Sequence, residues 1–110
     1  MSEGTLVPDL PVRLLDLAPV SEGAVFSRTL VKNSAGNVTI FAFGQGQGLS
    51  PHSAPFDALV HVLDGTARIT IGEHPHDLGA GQAVLMPAGV PHAVQATTDF
   101  RMLLVMLRGS

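Results

Sequence analysis

The 110-residue chain has no cysteine, which excludes a disulfide framework and a thiolate nucleophile. It is also poor in charge. Six basic residues stand against nine acidic ones for a formal charge of −3, and Lys32 is the single lysine. Phosphate recognition needs clustered Lys or Arg, so nucleic acid is not an expected partner. No uninterrupted apolar run reaches the roughly eighteen residues that a membrane span requires, so no membrane partner is expected. Met1 to Pro11 lacks the basic and apolar blocks of a signal peptide, which makes the cytoplasm the expected compartment. No long helical period develops anywhere, and there is no internal repeat.

What is present is a single domain's worth of chain, residues 1–110, with 45% apolar residues and only 14% charged ones, against about 25% charged in an ordinary soluble domain. So few charges on so small a domain predict that some surface is hidden in a homo-oligomer. The apolar residues come in short runs broken by Gly, Pro, Asn and Asp, a pattern that reads as all-β. The predicted strands are Val12 to Leu17, Ala24 to Lys32, Val38 to Phe43, Ala58 to Leu63, Ala67 to Ile71, Ala83 to Met86, Ala93 to Ala96 and Arg101 to Leu107. Residues 1–11 form an N-terminal arm. Asp64-Gly65 is a tight-turn pair, and Asn33 to Asn37 supplies residues that tolerate positive φ. Ala67, Ile69 and Ile71 alternate with Thr66, Arg68 and Thr70, which describes one buried and one wet face. Met102 to Leu107 is apolar on both faces, so it must be covered twice, by the barrel core and by another sheet or subunit.

Two segments carry the chemistry. The first places Gly46, His52, Ala54, Ala58 and Gly65 in one frame. The second runs Gly81, Pro87-Ala88-Gly89, His92 and Ala96. Their spacing resembles the two motifs of the cupin superfamily, in which the first carries His-x-His followed by Glu and the second ends in Asn. Here Ala54, Ala58 and Ala96 stand at three of those positions. The motif resemblance covers residues 46–96, and it implies a double-stranded β-helix, the jelly-roll barrel of RmlC-like proteins, assembled as a homodimer.

In that frame residues 52, 54, 58 and 92 point into the barrel mouth, where the resemblance implies a divalent transition metal such as Fe, Mn, Ni or Zn. This chain supplies His52 and His92 as metal ligands, an incomplete set. Asp57 or His61 would add a third ligand only if a bulge reversed strand parity, because Ala58, Val60 and Val62 share the inward face. A small-molecule pocket is expected around His52 and His92, lined by Phe43, Phe56, Val60, Met86 and Val94, with Gln47 as a polar contact at its rim. His52 and His92 are also the catalytic candidates should the chain be an enzyme. The resemblance offers metal-dependent dioxygenases, and metal-free isomerases or epimerases in which Asp57 would be the orienting carboxylate. It also offers the sensing arm of a transcription regulator, without a DNA-reading helix in this chain. His61 reads as a surface or interface residue and His74-Pro75-His76 as a hairpin tip. Gly44, Gly46 and Gly48 form a flexible rim and not a phosphate loop, since no helix follows them.

Overall fold

The computed structural model describes residues 5–109, so Met1 to Gly4 of the predicted arm lie outside the described residues. Nine strands make up almost all of its regular structure: β1 Val25–Asn33, β2 Gly36–Phe43, β3 Gly48–His52, β4 Asp57–Asp64, β5 Thr66–Ile71, β6 His74–Gly79, β7 Ala83–Met86, β8 His92–Ala96 and β9 Phe100–Leu107. They form two antiparallel sheets, β1-β2-β9-β4-β7 and β3-β8-β5-β6. The all-β jelly roll expected from the sequence is the fold observed.

The inner faces of the two sheets meet in one core. Phe43, Val60, Val62, Ile69, Phe100 and Met102 are buried there with Ala58, Met86 and Val94. Phe43 stacks on Phe100 with ring centroids 4.7 Å apart. The parity read from β4 holds, because Ala58, Val60 and Val62 are buried while Asp57 and Leu59 are exposed. No bulge interrupts β4 near Pro55; its irregularity falls between Val62 and Asp64. Gly65 then closes the β4–β5 hairpin at φ +75°, where a Cβ would run into the Asp99 carbonyl oxygen, so the turn requires glycine on two counts.

Several local expectations change. Val12 to Leu17 is not a strand; Leu14–Leu17 forms a 3-10 turn. Two strands are added, β3 and β6. His74 to Pro75 lies within β6, opposite Thr70 and Ile71, so the hairpin tip is Gly72-Glu73 instead.

The second covering of β9 also has an unexpected source. Leu103 faces outward and joins a second cluster with Leu30, Ile40 and Ala42, which Ala18, Leu14, Leu17 and Val20 cover from the N-terminal segment. The chain therefore covers this part of the sheet itself. Arg101 fastens the cover, with Nε donating to the Ala18 carbonyl at 2.6 Å and Nη1 to Asp64 Oδ2 at 2.7 Å.

Candidate functional site

Strand directions bring the two sequence segments together at one end of the barrel. β4 runs away from that end toward the Asp64-Gly65 turn, and β5 returns to it at Ile71. His92 opens β8 there, in register with Ile71 on one side and His52 at the end of β3 on the other. The loop from Met86 to His92 is pinned across the same end, since Gly89 N donates to the Ala54 carbonyl at 2.8 Å. Ala88 N donates to Asp57 Oδ1 at 2.9 Å. Pro87 and Gly89 shape that corner, and its two bonds, one to a backbone carbonyl and one to a carboxylate, anchor the loop that leads into His92.

The imidazoles of His52 and His92 consequently meet edge to face, with ring centroids 4.5 Å apart and planes at 71°. His92 is 6% exposed, while His52 stands on the exposed rim. His52 Nδ1 lies 2.8 Å from the Ser50 carbonyl and His92 Nδ1 3.3 Å from that of Val90. A carbonyl oxygen only accepts, so each Nδ1 carries a proton in these contacts, and a ring in its neutral form then keeps its lone pair on Nε2. Burial, followed by the neighbouring His52, pushes the His92 pKa below the usual imidazole value, and the Val90 hydrogen bond offsets part of this. Neutral His92 is thus the favoured form.

The other predicted residues divide by position. Met86 is buried beside Ala58 at this end, and Val60 and Val94 pack deeper in the core. Phe56 is half-buried on the rim, with the Arg108 guanidinium 5.2 Å from its ring centroid. Phe43 sits with Phe100, at the far end of β9 from the histidines. Gln47 precedes β3 and its carbonyl accepts from Ala96 N at 2.8 Å, also at the far end of β8. His61 lies on the outward face opposite Leu103. Met106, which the sequence reads with Met86 and Met102 as core or pocket lining, packs against the core. Sequence reasoning missed Arg108, which nothing in the sequence links to Phe56.

The metal that the family frame implies does not fit these residues. Among the described residues no group of three or more His, Cys, Asp or Glu converges, whereas a catalytic zinc-type centre takes three such ligands from the protein. Asp57 supplies no third ligand, being on the outward parity and engaged with Ala88. A cavity of about 740 Å³ does exist elsewhere, between residues 5–8 and β1. Among the described residues that line it, Lys32 is the one ionisable group.

Comparison with known proteins agrees with this architecture. The model of the cupin domain family matches residues 39–107. A conserved protein of unknown function from Streptococcus pyogenes superposes with a TM-score of 0.90 at 35% identity, covering 96% of this chain and 92% of that one. A cupin superfamily protein from Desulfitobacterium hafniense gives 0.88 at 28% identity, over 94% and 95% of the two chains. Protein SchB of Streptomyces halstedii is 28% identical over 87 residues, 78% of this chain and 63% of SchB. This chain thus spans less than two thirds of that curated relative. With its sheets, its motif spacing and the match over residues 39–107, the chain belongs to the cupin domain family.

Proposed function

We propose that the chain binds a small molecule at the barrel mouth through the paired imidazoles of His52 and His92. The observation that carries this reading is the tethering of both Nδ1 atoms to backbone carbonyls, which leaves both Nε2 atoms as acceptors. Acceptors on two adjoining rings favour a ligand that presents hydroxyl, enol or carboxylic acid protons, with its body against the Phe56 rim. The test is a screen of small alcohols, phenols and hydroxy acids by NMR. Binding should shift the His52 and His92 ring signals and be lost in His52→Ala and His92→Ala.

A second reading, acid–base chemistry of the isomerase or epimerase kind, is favoured by the depressed pKa of His92, which keeps a base available at neutral pH. It has to work without Asp57, whose carboxylate is held by Ala88. Solvent deuterium entering a bound hydroxy acid at carbon, in wild type but not in His92→Asn, would identify it.

Assembly as a homodimer belongs to the same proposal. Supporting it is an apolar row across all five strands of the larger sheet, in which Val31, Val38, Val105, Leu59 and Leu85 are consecutive register neighbours. Leu85 is 52% exposed and Val31 47%. A second copy is the occupant that suits a chain so poor in charge.

A further inference from the structure

Arg13, Arg68 and Arg101 each face a carboxylate. Arg108 has no such partner among the described residues, and no hydrogen bond engages its guanidinium there. Its place is nevertheless fixed. The backbone N–H donates to the Ala35 carbonyl at 2.8 Å, and the guanidinium carbon lies 5.2 Å from the centroid of the Phe56 ring. Strand register accounts for that contact: β4 and β9 pair Ala58 with Met106 and Asp57 with Leu107, so the next step brings Phe56 opposite Arg108. Burial alternates along the same stretch, with Ala54, Phe56, Ala58 and Val60 on the more buried side. Phe56 therefore continues the inward parity one step beyond Ala58, toward the barrel mouth.

Phe56 also belongs to the end that carries the imidazoles. Ala54 and Asp57, which bracket it, hold Gly89 and Ala88 of the loop that leads into His92. Contact with an aromatic ring steadies the long arginine side chain through its charge and uses none of its N–H groups as hydrogen-bond donors to an acceptor oxygen. The forked donors are left for a ligand, and their geometry matches a carboxylate through two parallel hydrogen bonds. One guanidinium balances the single charge of a carboxylate, but only part of a phosphate dianion's. Neutral imidazoles accept a hydroxyl proton and do not select an anion, so the two groups would read different parts of one molecule. On the basis of the imidazole site proposed above, we propose that Arg108, held over Phe56, selects the ligand as a hydroxy or enol carboxylate, with its carboxylate on Arg108 and its hydroxyl on His52 and His92.

The test compares mandelate and salicylate with their uncharged amides, by calorimetry and by NMR of the full chain. Each acid should bind at least about tenfold more tightly than its amide, the factor that hydrogen bonds to a charged group supply. Arg108→Gln should bring each acid down to the affinity of its amide, and Arg108→Lys should keep part of the preference by keeping the charge. Arg108 is exposed, so both variants should melt like the wild type. Equal binding of acid and amide by the wild type, or a preference that survives in Arg108→Gln, would overturn the proposal. Should the variant not fold, the wild-type comparison decides. The two readings fail separately: acids and amides that bind alike while shifting the His52 and His92 ring signals remove only the role of Arg108. Acids that need Arg108 but leave both ring signals in place remove only the imidazole reading. If none of these compounds binds, both readings fall.

Discussion

Arg101 and Asp64 meet across β9 and β4, with Nη1 2.7 Å from Oδ2, while the same guanidinium reaches the Ala18 carbonyl. One side chain thus ties the covering N-terminal segment to the sheet it covers. The other Asp64 oxygen is buried without a hydrogen-bond partner, so losing Arg101 would leave the carboxylate with no partner at all. Arg101→Met should cost about 1.5–3 kcal/mol, the range for hydrogen bonds to charged groups, and Arg101→Lys less. Urea denaturation measures both. A change within experimental error for Arg101→Met would remove the clamp from the account.

His92 sets a pH dependence. Its folded pKa lies below the ordinary value of 6.5, so the unfolded chain takes up the proton first as pH falls. Above about pH 6.5 the ring is neutral in both states and contributes no pH dependence; below it stability is lost until the folded pKa is passed. His92→Asn should therefore lose less stability than wild type between pH 7 and pH 5, each compared with its own value at pH 7. Parallel curves from thermal melts would contradict this.

Restoring the family ligand set should restore divalent binding. Ala54→His with Ala58→Glu adds an imidazole and a carboxylate to His52 and His92. Because Ala58 is 3% exposed, the new carboxylate is unpaired without metal and should lower stability. Manganese or zinc should reverse that loss in a thermal-shift assay. An unchanged melting temperature with metal would put the motif alignment in doubt.

Two positions on the outward face of β9 should respond differently to charge. Leu103 packs under the N-terminal segment, so Leu103→Glu should unfold the protein. Val105 lies in the apolar row between Val38 and Leu59, so Val105→Glu should leave a folded monomer. Light scattering after size exclusion reads the mass. A wild-type monomer at micromolar concentration would remove the dimer proposal.

The strands that could be read from the sequence were those whose side chains alternate or repeat β-branched residues, such as Thr66 to Ile71. β3, Gly-Leu-Ser-Pro-His, and β6, His-Pro-His-Asp-Leu-Gly, have no such pattern. Pairing to β8 and β5 makes them strands despite low propensity, because β-structure depends more on neighbours than on intrinsic preference. Leu14 and Leu17 failed in the opposite sense. Their apolar character suggested a strand, yet it serves a short 3-10 turn lying over Ile40 and Leu103. The meeting of His52 and His92 followed from motif spacing, whereas the tethering of their Nδ1 atoms depends on local backbone geometry that spacing does not encode.

The central claim, that two neutral imidazoles present Nε2 lone pairs to a ligand, is tested most directly by long-range proton–nitrogen NMR of the histidine rings at pH 7.5, with and without the hydroxylated fragments. The account predicts Nδ1-protonated tautomers for both His52 and His92, with the Nε2 resonances of both rings moving together on binding. Nε2-protonated rings, or fragments that bind while leaving both Nε2 signals in place, would contradict it.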